Sequence, residues 1–230
     1  MMATKKTPAQ NLNTLVYESV KERLFRGDFP MGKRISVDAL RTEFGVSKQP
    51  ISEAFRTLAA DGLVEILPRS GCVPRDYSRA EVQDFFAIFA DFEGSTTELA
   101  ARRRTEKQLA KLQEILTSHT PDIPGQEPAE RSARYRLHNR EFHLAILEMA
   151  NSRVVISVAK RMMDISDYLI GNGAEGGRFV YHLSERHDEH AEIVAAIAAQ
   201  DEAAARRFMH DHIAHAGEFA TSHKVGRQIT

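Results

Sequence analysis

The spacing of helix breakers in the first third of the chain restricts its fold more than any other feature. Apolar residues Leu12, Leu15, Val16, Val20 and Leu24 recur at helical intervals and predict a helix from Leu12 to about Arg26. Gly27 ends it, and Asp28-Phe29-Pro30-Met31-Gly32 reads as a turn. A short helix then runs from near Val37 through Leu40 to Phe44, where Gly45 breaks it. Ser47 is placed to cap a third helix through Leu58, whose apolar stripe is Ile51, Ala54, Phe55 and Leu58. After Asp61-Gly62 the apolar run Leu63–Leu67 is too short for a helix. Pro68-Arg69-Ser70-Gly71 turns the chain, and Cys72-Val73 starts a returning strand.

Helix, helix, turn, helix and β-hairpin, in that order, is the plan of a winged helix-turn-helix. Beyond Tyr77 the chain changes class. Helices are predicted at about 79–103, 105–119, 128–150, 152–170, 181–199 and 201–222. Pro121, Pro124, Gly125 and Pro128 mark one loop, and Gly171, Gly173, Gly176 and Gly177 another. The expected fold is mainly α: an N-terminal winged helix-turn-helix at 11–76 and a C-terminal all-α helical bundle at 79–222. Residues 1–10 and 223–230 are expected to be polar tails, the first disordered.

No run approaches eighteen consecutive apolar residues, so no membrane-spanning helix is expected. The N-terminus has two lysines with no apolar stretch behind them, unlike a signal peptide. The single cysteine, Cys72, cannot build an internal disulfide framework and suits a reducing cytoplasm. The net charge of -1 hides an asymmetry. Residues 1–76 carry 12 Lys and Arg against 9 Asp and Glu, or +3, and the remainder carries 19 against 23, or -4. Attraction to phosphate needs local positive charge, which the N-terminal part has.

With Ile51, Ala54, Phe55 and Leu58 turned inward, the third helix offers Lys48, Gln49, Ser52 and Arg56 outward. Residues at the start of such a helix reach the major groove first, so Lys48 and Gln49 are the candidates for base edges. Gln bonds adenine bidentately, and Lys suits guanine or phosphate. Ser47 and the free amides beside it suit a phosphate. In the hairpin, Arg69 and Gly71 are placed to approach the DNA backbone or minor groove.

The stretch from Gly45-Val46-Ser47-Lys48-Gln49-Pro50 through Leu58, followed by Asp61-Gly62-Leu63-Val64, resembles the GntR family of bacterial regulators. Pro30-Met31-Gly32-Lys33-Arg34-Ile35 is similar to that family's Pro-x-Gly-x-x-Leu segment, which adds Arg34 to the DNA-facing set. Pro68-Arg69-Ser70-Gly71-Cys72-Val73 resembles its wing. The match covers about residues 12–74 in register. Ser52 stands where the family usually has Arg, and Asp38 where FadR-type members can carry one. The resemblance therefore implies DNA binding without implying a relative's operator sequence.

All ten histidines lie beyond residue 118. Asn139 and His143 are four apart and share a helix face, while His190 and His212 each sit in an amphipathic helix. Three imidazoles and one oxygen converging inside a bundle suit Zn, Ni or Mn. The spacing alone is equally compatible with ordinary core and surface histidines. The C-terminal half, however, resembles the FCD effector domain of FadR-type regulators. That domain's metal-binding members carry Asp-x-x-Phe-His, then Glu-His, then a third His about two dozen residues on. Here the frame is Asn139-Arg140-Glu141-Phe142-His143, Glu189-His190 and His212, which implies a metal site at Asn139, His143, His190 and His212. Asn139 replaces the usual Asp and removes one negative charge from the site. Glu93 fits an acidic position in the first effector helix. Phe89 replaces an Arg common four residues earlier, and His187 is a further candidate for the effector pocket.

The function these readings imply is a homodimeric, ligand-responsive transcriptional regulator. It would bind double-stranded operator DNA and respond to a small carboxylate, with a divalent metal in the helical domain and no membrane partner. The rival reading is a metal-dependent hydrolase built on the same histidines. That chemistry needs an open metal position and a general base, and the chain supplies neither HExxH nor evident paired carboxylates. A further alternative is a regulator with no metal in the pocket.

Overall fold

A computed structural model describes residues 8–68, 71–118, 127–173 and 183–221. The chain divides into two compact units between Tyr77 and Ser78, inside the predicted boundary.

The first unit holds α1 (Pro8–Phe25), α2 (Val37–Phe44), α3 (Lys48–Ala60), β1 (Val64–Leu67) and β2 (Gly71–Pro74). Its core joins Val16, Val20 and Leu24 of α1 to Leu40, Ile51, Phe55 and Leu58, closed by Leu63, Val64 and Cys72 of the hairpin. Helix α1 starts at Pro8, so residues 8–10 belong to a helix and not to the expected tail. No breaker separates Pro8 from Leu12, and proline suits the first helical position, where its missing N–H is not needed. Residues 1–7 and 223–230 lie outside the described residues. Helix α2 is capped by the Ser36 hydroxyl at its start. At its end Gly45 takes φ 63, the left-handed conformation that glycine adopts without steric cost. The hairpin pairs antiparallel with Val64 opposite Pro74 and Leu67 opposite Gly71. An isolated bridge from Ile35 to Cys72 ties the turn before α2 to the wing.

The second unit holds α4 (Arg79–Arg103), α5 (Glu106–Ser118), α6 (Pro128–Met149), α7 (Arg153–Gly171), α8 (Leu183–Ala198) and α9 (Glu202–Thr221). Each falls within a few residues of its predicted span. Helix α4 starts with a full capping box, the Ser78 hydroxyl and the Glu81 carboxylate satisfying each other's backbone amides. Arginines cap two helix C-termini in this unit: Arg103 donates to the Ala150 carbonyl at 2.7 Å, and Arg104 to Ile197 and Ala198.

Helix α4 packs along α9 at very short range. A Cβ on Gly217 would sit 2.6 Å from Phe86 Cβ, and one on Gly94 would sit 2.9 Å from the Arg206 carbonyl oxygen. Both lie far inside van der Waals contact, and the Phe86 atom is fixed to its backbone. Gly217→Ala should therefore destabilise the protein by about 1–3 kcal/mol through overpacking, although Ala is the better helix former. Thermal denaturation checks this, and an unchanged or raised melting temperature would refute the close packing.

Candidate DNA-reading face and buried histidine cluster

The set predicted to face DNA begins at the N-terminus of α3. Ser47 is the N-cap residue, but its side chain makes no capping hydrogen bond, so the hydroxyl is not consumed by its own helix. Lys48, Gln49 and Arg56 are exposed and Ser52 is half-buried, on the face opposite the buried stripe Ile51, Ala54, Phe55 and Leu58. The Gln49 amide donates to Glu53 Oε1 at 3.0 Å, and the other Glu53 oxygen accepts from the Asn13 amide of α1. Arg34 is exposed immediately before the bridged Ile35. Gly71 opens β2 opposite Leu67. Arg69 lies outside the described residues.

In the second unit, α6, α8 and α9 each turn one imidazole inward. The stripe of α6 is Phe142, His143 and Ile146, that of α8 is Leu183, Arg186, His190 and Ile193, and that of α9 is Met209, His212 and Ile213. His143, His190 and His212 are buried, and one ring nitrogen from each lies within 4.8 Å of the others. The rings are held from behind. His143 Nδ1 lies 3.2 Å from Glu93 Oε2 of α4, His212 Nδ1 lies 2.8 Å from Glu189 Oε2, and His190 stacks on Phe142 with centroids 4.0 Å apart. A carboxylate at Nδ1 places the proton there and leaves the Nε2 lone pair facing the cluster. Burial, followed by the neighbouring cationic and imidazole groups, holds His190 and His212 well below the usual imidazole range, so both rings are neutral near pH 7.

This donor set fits a divalent metal: three converging imidazoles, two of them oriented by carboxylates, with no exposed ring among them. The second Glu93 oxygen, Oε1, is buried without a hydrogen-bond partner among the described residues, so an acceptor beside the cluster is left unmatched. Two carboxylates, Glu93 and Glu189, therefore stand at the cluster, although the sequence showed no evident pair. Both are committed to imidazole N–H groups and are not poised as general bases.

A cavity of about 440 Å³, its solvent mouth included, opens beside the cluster. Asn139, His143, His212, Phe89, Tyr135, Arg140 and Arg186 are among its lining residues. Asn139 Oδ1 accepts from the Tyr135 hydroxyl at 3.2 Å. Arg140 pairs with Asp164 at 2.8 Å and Asp167 at 3.3 Å. Burial still pushes the Asp167 carboxyl up to about 6, against the pull of Arg140. The buried Arg186 guanidinium reaches the Glu189 carboxylate at 2.8 Å, the His212 carbonyl at 2.9 Å and His212 Nε2 at 3.1 Å.

Comparison with known proteins agrees with both units. Residues 12–73 match the model of bacterial regulatory proteins of the gntR family, and residues 84–215, more than half of the chain, match the FCD domain. The chain belongs to the gntR-family regulators with an FCD domain. The HTH-type transcriptional repressor GlaR of Escherichia coli is 24% identical over 210 residues, covering 86% of this chain and 90% of that protein. The repressor RspR of the same organism is 24% identical over 213 residues, covering 91% of this chain and 89% of that protein. Among solved structures, E. coli McbR/YncC superposes with a TM-score of 0.70 at 21% identity, covering 88% of this chain and 93% of that one. A GntR regulator from Rhodococcus sp. RHA1 superposes with a TM-score of 0.73 at 17% identity, covering 94% of this chain and all of that one. The gntR family members are DNA-binding transcriptional regulators, and the hydrolase reading finds no support among them. No helix among the described residues is long and apolar enough to cross a membrane.

Within this FCD domain, the four residues of the predicted metal site come together unevenly. The three histidines form the cluster, while Asn139 lines the adjoining cavity and is only half-buried. Of the predicted pocket residues, Phe89 lines the cavity and Glu93 stands behind His143. His187 is not a lining residue: it faces His138 of α6, one turn away from the His190 side of α8. Arg186, Tyr135 and Arg140 were not singled out in the sequence. Arg186 was detectable in principle, because it precedes His190 by one turn in the same buried stripe.

The neutral rings make a pH prediction. In the unfolded chain His190 and His212 regain an ordinary value near 6.5, while in the folded state they resist protonation. Stability is thus intact above pH 6.5 and falls as pH drops below it. By pH 6 each ring should cost about 1 kcal/mol, partly offset by Asp167, whose carboxyl takes up a proton in the same range. Denaturant unfolding with a chelator present, at pH 8 and pH 6, should show the net loss, and His190→Gln should lose about 1 kcal/mol less than the wild type over the same interval. Equal losses in the two proteins would contradict the neutral-ring assignment for His190.

Proposed function

We propose that the protein acts as a homodimer on a palindromic operator and that a small carboxylate, held beside a divalent metal in the FCD domain, tunes operator binding. The observation that carries the effector reading is the junction of the cavity with the histidine cluster. Two guanidinium groups, a tyrosine hydroxyl and an amide line an opening that adjoins three clustered imidazoles. His143, His190 and His212 would hold the metal, with Asn139 the oxygen closest in sequence frame. Zn, Ni and Mn suit the nitrogen-rich set, and such a metal supplies a Lewis-acidic position for a carboxylate oxygen. Arg140, Tyr135 and Arg186 would orient the rest of the acid. The ligand acts through its different affinities for the DNA-competent and incompetent states. Two relatives named as repressors, GlaR and RspR, favour repression as the default sign.

On DNA, Lys48 and Gln49 read base edges. Ser47, Ser52, Arg34, Arg56, Arg69 and Gly71 serve the backbone and the groove wall. Two such domains in a dimer occupy half-sites about one helical turn apart.

The deciding measurement is a thermal-shift screen of small carboxylates with and without zinc, since a ligand that binds only the folded state raises the melting temperature by mass action. Zinc should co-purify or titrate stoichiometrically in the wild type and be lost in His143→Ala and His190→Ala. Equally low metal in all three proteins removes the metal from the proposal. On the operator, identified by footprinting DNA that flanks the gene, Gln49→Ala should cost about 1–3 kcal/mol and relax specificity at one position. Lys48→Ala should weaken binding to all sequences and reduce the salt slope by about 1. A salt slope unchanged in Lys48→Ala would remove that lysine from the interface.

A further inference from the structure

The groups around His212 divide by which ring nitrogen they address. Glu189 takes Nδ1, the position from which a carboxylate steadies a metal-binding imidazole. Arg186 takes the opposite nitrogen: its Nη2 lies 3.1 Å from His212 Nε2. His190 Nε2 is 3.2 Å from the same atom. With the proton of His212 on Nδ1, Nε2 carries the lone pair, so Arg186 donates into the lone pair that a metal ion would need. A guanidinium has five N–H donors and no acceptor, so it cannot itself be a ligand. It also lines the cavity next to the cluster.

We propose that Arg186 is a built-in stand-in for the divalent cation, holding the His212 Nε2 lone pair until a metal expels it, and that the expelled guanidinium becomes the anion-binding group of the cavity. The proposal rests on the metal reading above. One lone pair cannot serve both a guanidinium N–H and a metal ion, and a cation left in place would repel a dication at that range. Arg186 is already balanced by Glu189 at 2.8 Å, so it is stable where it lies. It also donates to the His212 carbonyl at 2.9 Å, on the same helix as the ring it must leave. The exchange therefore couples two ligands. Metal binding frees a buried positive charge facing the cavity, an anion there compensates it, and by linkage each tightens the other. The arrangement also sets a cation against Glu189, beside a metal site that Asn139 has deprived of a carboxylate.

The test is the affinity for zinc alone, measured by competition with a chromophoric chelator and with no organic acid present, in the wild type, Arg186→Gln and His190→Ala. Removing a stand-in cation should tighten zinc binding at least tenfold in Arg186→Gln, whereas loss of a merely structural arginine would weaken it. Zinc affinity in Arg186→Gln equal to or weaker than the wild type overturns the proposal. Zinc binding that is unaffected by His190→Ala in every background overturns the metal reading itself, and this proposal with it. Should Arg186→Gln not fold, the wild type decides: in arginine side-chain nitrogen NMR, assigned by Arg186→Lys, the Arg186 guanidinium resonance should move on addition of stoichiometric zinc. A resonance that stays in place at zinc saturation rules out the exchange.

Discussion

The effector unit depends on how closely α4 and α9 approach. Gly94 and Gly217 remove the side chains that would hold the two helices apart, and Phe86 fills the space that results. The approach fixes more than packing. Glu93 on α4 and His212 on α9 both belong to the polar interior, and their separation follows from the separation of their helices. A core at near-crystalline density transmits such a constraint without slack. The imidazoles of α6 and α8 are then aligned against a rigid pair.

Burying three imidazoles, an arginine and a glutamate beside one another is costly unless each charge and lone pair has a partner. The structure meets most of this demand by alternating acid and base: Glu93 with His143, Glu189 with both His212 and Arg186. What stays unmatched is informative. Glu93 Oε1 has no hydrogen-bond partner among the described residues, and His212 Nε2 is approached by both Arg186 and His190. A polar core of this kind favours one arrangement over many, and it leaves a small imbalance for a ligand to correct.

Element order and nearly every helix boundary were legible because glycine, proline and capping serines punctuate strong periodicity. Gly45 and Ser78 are typical cases. The histidine triad was legible in part: periodicity put His143, His190 and His212 on inward faces, and resemblance to a family frame joined them. What escaped was the charged portion of the site. The segment from Leu183 to His190 is dense in charge and reads as a solvated face, which masked the one signal Arg186 carried, its place one turn before His190 in the buried stripe. Asn139 was placed correctly on the face of His143, but single-helix geometry could not separate a ligand position from a wall position. The start of α1 was missed because Pro8 looks like a breaker and serves as a beginning.

The chain of contacts from Asn13 through Glu53 to Gln49 has a consequence for the cost of recognition. A long amide on an exposed helix normally samples several rotamers, and a protein that must freeze it on meeting DNA loses that freedom at the moment of binding. Here the freezing is done beforehand by a carboxylate that α1 itself holds in place. One amide hydrogen is committed to Glu53, which sets the orientation of the group and leaves its oxygen and second hydrogen facing outward as an acceptor–donor pair. On the proposed reading of Gln49, a duplex would meet an amide whose orientation Glu53 already favours, and a mismatched base edge would have to break that hydrogen bond to turn it over.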